Sequence, residues 1–233
     1  MKNWYQFIAI MLFLVLTFLT GLFYSKEHKN NEKRVISVRA MARIGVFAAI
    51  STILYVIPGL KFSIPGLFPS FLELHFDEIP ALIAGFAFGP FSAFGIILIK
   101  TLIKIPLSGA NTMYIGEISD FIYSLALVLP AAIIYKHHRK FKFAALGLGI
   151  GFISQIIVSL LVNVYIMIPA YMALFHMNEQ ALLGMMPPFI KDVKWSYGLI
   201  GVLPFNVIKN TAVIGVTLLI YKPLHRLIEK IHA

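Results

Sequence analysis

The chain has 233 residues and a mass of 26.1 kDa; 59% of its residues are hydrophobic, 13% are charged, and its mean hydropathy is +0.85. A soluble domain is nearer half apolar and a quarter charged, and no compact core of this size buries the excess, so a water-soluble domain, a disordered chain and a coiled coil are excluded in favour of a polytopic membrane protein. The absence of cysteine excludes disulfides, thiolate nucleophiles, iron–sulfur clusters and cysteine-ligated zinc, and the formal charge of +10 must be read against membrane topology before nucleic acid is considered.

Residues 4–24 form an apolar run of 21, about the length that crosses a bilayer as a helix. The weak cleavage site at Thr20-Gly21-Leu22-Phe23-Tyr24 argues for a retained transmembrane helix rather than a secretory signal. A basic linker to residue 39 follows, then an apolar stretch over 40–58. Segment 60–80, LKFSIPGLFPSFLELHFDEIP, contains Pro65, Pro69, Pro80, Gly66 and the ionisable Glu73, His75, Asp77 and Glu78. A continuous helix is impossible there, and so long an apolar loop is expected to be ordered over a cavity mouth. Short helices are expected at 79–89 and 91–105, joined at Gly89-Pro90, then a polar turn at 106–113, helices at 114–135 and 143–172, an outer loop at 173–197 and a last helix at 198–221. Short or Pro/Gly-broken spans point to a binding site, because irregular backbone survives at depth only where it lines a cavity or is buried in protein.

Thirteen of the twenty Lys and Arg fall in three clusters. These are Lys26, Lys29, Lys33, Arg34, Arg39 and Arg43; Lys136, Arg139, Lys140 and Lys142; and Lys222, Arg226 and Lys230. Placing all three inside satisfies the positive-inside rule. The expectation is a multi-pass cell-membrane protein with a cytoplasmic C-terminus and six core helices over 40–233, preceded by the extra helix and linker of 1–39.

Polar groups at depth are costly and face a cavity or a partner. Asn206 and Lys209 are three apart on one helix face, and Lys209 lies roughly 16 Å into its span. It is either half of a structural ion pair or a donor to ligand oxygens. Glu117 and Asp120 share a face near the outer end of their helix, where they either complement its N-terminus or meet a ligand. Asn163 stands in a long apolar run and either bonds a neighbouring helix or suits a heteroaromatic ring edge. Lys100 and Lys104 are expected to approach the outer surface and snorkel. The seven histidines are read as scattered, without a metal site. No phosphate loop, HExxH or GxSxG occurs, and no carboxylate pair stands beside a nucleophile, so no catalytic residue is assigned.

The runs FPSFLELHFDEIPALIAGFAFGP (68–90), GEISDF (116–121), VLPAAIIYK (128–136), PFNVIKN (204–210) and LLIYK (218–222) resemble the substrate-binding S components of energy-coupling factor (ECF) vitamin transporters, most closely the riboflavin S component. The resemblance implies an all-α bundle of six helices around a cavity near the outer surface and a lid loop between the first two. It also implies a transmembrane coupling subunit and two ATPases as partners. Riboflavin would be transported cargo, and no cofactor is expected. Asn163, Lys209 and Asn206 would bind the vitamin together with Glu117 and Asp120, with Phe68, Leu72 and Glu73 closing over it. The riboflavin pattern has asparagine where Asp120 stands and glycine where Asn210 stands. By the same resemblance, Gly45 and Ala49, flanked by Ala42 and Ala48, would dock the coupling subunit; from spacing alone that face packs inside the protein. The alternatives are an S component for another vitamin such as pantothenate, a stand-alone facilitator, or an integral membrane enzyme acting on a lipid. The last would need acids or metal-binding carboxylates clustered at one interface, whereas the cytoplasmic loops supply cations without matching acids and Glu73, Asp77, Glu78, Glu117 and Asp120 map to the outer side.

Overall fold

The computed structural model describes residues 37–57, 59–108 and 114–232; the apolar run 4–24, most of the basic linker and the turn at 109–113 lie outside the described residues. The described chain is helical: α1 Val38–Val56, α2 Glu78–Phe88, α3 Pro90–Ser108, α4 Ile115–His137, α5 Phe141–Val162, α6 Ile168–Leu174, α7 Glu179–Leu183 and α8 Leu203–His232. Five stretches are long and apolar enough to cross a membrane: α1, Pro90–Leu107, α4, Phe141–Leu174 and Tyr197–Tyr221. The sixth apolar helix, α2, has only 11 residues, about 16 Å of rise against a hydrocarbon core of about 30 Å.

Local chemistry sets the boundaries. Ser37 caps α1 by accepting from the Ala40 N–H at 3.2 Å, and Asn178 caps α7 through Ala181 N–H at 2.8 Å. The α2–α3 joint turns at Gly89, whose φ of 92° would strain any side-chain-bearing residue, and Pro90 opens the next helix without needing an N–H partner. Two expected spans each contain a π turn, at Asn163–Met167 and at Tyr197–Val202. A proline stands two residues past each, at Pro169 and Pro204. Proline lacks an N–H and crowds the carbonyl four residues back, which a widened turn relieves. Pro130 sits within α4 without such a turn, so proline permits the widening but does not impose it.

Two layers of packing result. The larger core joins α1, α2, α3, α4 and the start of α5 to the 213–221 stretch of α8, with Ala48, Ala81, Ala84, Ala93, Ala131 and Ala144 among its buried residues. Small side chains let the helices approach closely. A Cβ added at Gly151 of α5 would lie 2.2 Å from the Leu127 carbonyl oxygen of α4, so only glycine permits that crossing. The second cluster lies under the 59–77 loop, where Phe68, Leu72 and Leu74 pack with Ile168, Leu182, Met186, Ile190, Tyr197, Val202 and Phe205. The loop is pinned on itself by a two-way backbone bridge between Phe62 and Leu74, at 3.0 and 2.8 Å. The expected outer loop 173–197 is thus partly helical and forms one wall of that cluster.

Candidate functional site

Beneath the loop lie two buried polar networks. The first is charged. Asp77 and Glu78, where the loop becomes α2, meet lysines from α3 and α8: Lys100 Nζ is 2.6 Å from Asp77 Oδ2, and Lys209 Nζ is 2.7 Å from Glu78 Oε1. Asp120 of α4 pairs with Lys104 at 2.8 Å and stands 3.6 Å from Lys100, which also donates to Ser124 at 3.0 Å. His75 sits among them, with Nδ1 against Asp77 and Nε2 3.0 Å from Lys209 Nζ and 3.3 Å from Asp120 Oδ1. A neutral imidazole donates to Asp77 and accepts from Lys209; a protonated one donates to Asp77 and Asp120 and gives up the lysine. Burial lowers the pKa of His75, as does Lys209, but Asp77, Glu78 and Asp120 outweigh them and hold it above the ordinary value. Burial likewise raises Asp77, yet His75 and Lys100 keep its carboxyl well below the usual carboxylate range.

The lysines decide what this cluster can hold. His75, Glu78 and Asp120 bring ligand atoms within 4.8 Å of one another, a spacing a metal ion would accept. Glu78 and Asp120 are already paired with ammonium groups, so a cation there would have to displace Lys209 and Lys104, and the cluster does not suit one.

The second network is neutral. Asn163, at the start of the first π turn, donates from Nδ2 to Tyr123 Oη at 2.8 Å and to the Ser159 carbonyl at 2.9 Å, and accepts at Oδ1 from Tyr197 Oη at 2.9 Å. One turn below Ser159, Gln155 donates to Asn206 Oδ1 at 2.8 Å and accepts from Asn210 Nδ2. Phe71 of the loop lies over this region, its ring centroid 5.8 Å from that of Tyr171 and 6.1 Å from that of Tyr197. Phe68 meets Phe205 edge-on at 5.3 Å.

Of the residues expected from sequence, Asn163, Asn206, Lys209, Asp120, Glu117, Phe68 and Leu72 are all buried. Asn163 and Asn206 fall in the neutral network, Lys209 and Asp120 in the charged one, and Phe68 and Leu72 in the loop's apolar underside. Glu73 is at the rim, paired with Lys61 at 2.7 Å. In α1, Ala42, Gly45 and Ala49 are exposed, whereas Ala48 is fully buried in the main core and does not share their face.

Three readings need correction. Lys100 and Lys104 are 0% and 3% exposed and do not snorkel; their i, i+4 spacing puts them on the inward face of α3, where Asp77 and Asp120 neutralise them. His75 is the centre of a network rather than a scattered histidine. Asn163 is not alone but bonded to two tyrosines. Gln155 was missed altogether, although its spacing from Ser159 and Asn163 (i, i+4, i+8) marks a polar stripe on one helix face.

Residues 39–221 match the family described as "ECF transporter, substrate-specific component", and the chain belongs to it. Among curated relatives it is 29% identical over 201 residues to "Riboflavin transporter RibU" of Staphylococcus aureus (strain TCH60), covering 86% of this chain and all of that one. It is 28% identical over 190 residues to "Riboflavin transporter FmnP" of Bacillus subtilis (strain 168), covering 81% and 94%. A solved structure described as "Structure and mechanism of the S component of a bacterial ECF transporter" superposes with a TM-score of 0.63 at 28% identity, over 81% of this chain and 96% of that one. As a substrate-specific component the protein is a multi-pass membrane subunit that binds cargo and associates with an ECF module, and it is not an enzyme.

Proposed function

We propose that the protein binds riboflavin or a related flavin from outside the cell and passes it to an ATP-driven module of a transmembrane coupling subunit and two ATPases. The observation that carries the substrate is the neutral network facing Lys209 beneath the aromatic loop. Carboxamides and an ammonium supply the mixed donors and acceptors that an uncharged heteroaromatic ring edge needs, and Phe71, Tyr171 and Tyr197 supply ring surfaces to flank it. Relatives named as riboflavin transporters support the same reading. The substrate set is Asn163, Lys209 and Asn206 with Glu117 and Asp120 around them and Phe68, Leu72 and Glu73 above, the 59–77 loop acting as lid. The coupling subunit docks on the exposed small residues Ala42, Gly45 and Ala49 of α1, with Ala48 packing behind them.

In this topology 25–39, 136–142 and 222–233 are cytoplasmic, the lid is outside, α2 completes a six-helix domain over 40–233, and 4–24 is an additional membrane helix. The test is the absorbance spectrum of the detergent-purified protein followed by flavin titration. A bound flavin gives near-ultraviolet and blue bands that no side chain has, and Lys209→Met and Asn163→Leu each weaken binding by about 1–3 kcal/mol in folded protein. Unaltered affinity in both variants removes them from the site. Flavin-independent behaviour of the wild type, with another vitamin bound instead, replaces the substrate but not the fold.

A further inference from the structure

Gln155, Ser159 and Asn163 occupy one face of α5 and its π turn, and each is at most 2% exposed. Opposite them α8 presents Asn206, Lys209 and Asn210. The amides form a chain: Asn210 Nδ2 donates to Gln155 Oε1, Gln155 Nε2 donates to Asn206 Oδ1 at 2.8 Å, and Asn206 Nδ2 donates to the Val202 carbonyl at 2.8 Å. Its sense is not free. A backbone carbonyl only accepts, so the Asn206 group against Val202 is the NH2 and its oxygen faces Gln155. Gln155 must therefore meet that oxygen with its own NH2, and its oxygen in turn requires the NH2 of Asn210. Reversing Gln155 or Asn206 would set acceptor against acceptor or donor against donor between two buried side chains.

Simple glue between two helices would not need a fixed sense, since two amides bond equally well either way. Here the sense is dictated from the first carbonyl, and Asn206 retains one N–H and one lone pair beyond the bonds it makes. We infer that Gln155 is a positioning residue for the transported ligand: it locks the Asn206 amide in one orientation and so fixes where that spare donor and spare acceptor point. This rests on the reading of Asn206 as a ligand contact. Without Gln155 the Asn206 oxygen loses its donor, and the amide is held by the Val202 bond alone.

The test is a double-mutant cycle on detergent-purified full-length protein with riboflavin as the probe, using Gln155→Met, Asn206→Ala and the pair. Asn206→Ala and Gln155→Met each weaken binding by about tenfold, while adding Gln155→Met to Asn206→Ala weakens it by less than about twofold further. If Gln155→Met costs the same factor in both backgrounds, or nothing in the wild type, the positioning role is overturned and Asn206 remains a contact. If Asn206→Ala binds riboflavin as the wild type does, the contact reading falls and the positioning role with it. A second variant guards against a misfolded methionine. In Gln155→Glu the introduced carboxyl still accepts from Asn210 but donates to Asn206 only while protonated. Its affinity deficit relative to wild type therefore grows between about pH 5 and about pH 9, a dependence that loss of packing would not give; a deficit flat with pH overturns the inference.

Discussion

The two buried networks differ in what they cost to disturb. In the charged one, each lysine and carboxylate was taken out of water and is compensated by the opposite charges around it, so removing one member leaves a charge under-compensated at depth. In the neutral one the groups are amides and phenols, whose net contribution is about 1 kcal/mol per bond and whose partners a ligand's own oxygens and nitrogens can replace. The first therefore anchors the root of the loop to α3, α4 and α8, and the second is the one whose bonds the proposed ligand would replace at small cost. Lys209 is held in the charged network by Glu78 and His75, one position along α8 from Asn210 of the neutral network.

The sharpest way to break this contrast is Lys100→Met. It strips the lysine paired with Asp77 and the donor to Ser124, and thermal unfolding in detergent should show a loss of about 3–5 kcal/mol. Adding Asp77→Asn should return part of it, since no bare carboxylate then remains; a double variant worse than the single one would show that the pair is not the unit. Next comes the scaffold that brings the neutral groups together. Gly151→Val drives a side chain into the Leu127 carbonyl, forcing α4 from α5 and Tyr123 from Asn163, at about 1–3 kcal/mol. Unfolding that matches the wild type would mean the crossing has slack. Tyr197→Phe deletes one neutral bond, to Asn163, and the unfolding shift should be no more than about 1 kcal/mol.

The smallest effect is with pH, and it belongs to the charged network alone. His75 is raised in the folded protein, so its stabilisation is complete below its ordinary 6.5 and is lost as pH climbs through the folded value. Asp77 is lowered, so its contribution is present above 3.8 and is lost as pH falls below that. Tm should decline as pH rises above 6.5, and His75→Gln should flatten that decline; an unchanged slope in the variant would assign it to another group.

Much of the scaffold was readable because bilayer thickness imposes a length on apolar runs. The positions of α1, α2 and α4 followed from composition and from Gly89-Pro90, whereas α3, expected to be short over 91–105, runs to Ser108 and is long enough to cross a membrane. The π turns were not, although Ile168-Pro169 and Leu203-Pro204 mark them in retrospect. Pro130 shows why: the same residue in α4 leaves the helix regular, and packing decides between the outcomes. For the site, spacing told correctly which residues share a face and failed to tell which way the face turns. Lys100 and Lys104 were sent outward because a lysine near a membrane surface ordinarily snorkels, and their partners Asp77 and Asp120 lie 23 and 16 positions away in sequence. A pairing of that range has no periodicity to betray it. Ala48 flanks the Gly45 and Ala49 face at about 100° round the helix and is turned into the core.

One property of the charged cluster bears on energetics beyond folding. Lys100, Lys104 and Lys209 stand against Asp77, Glu78 and Asp120, so with His75 neutral the sum is zero. A single uncompensated charge displaced across a membrane works with or against the resting voltage at about 2.3 kcal/mol per 100 mV. With His75 neutral, the cluster therefore does no net electrical work when it moves as one body along the membrane normal, whereas a protonated His75 adds one positive charge on which the voltage acts.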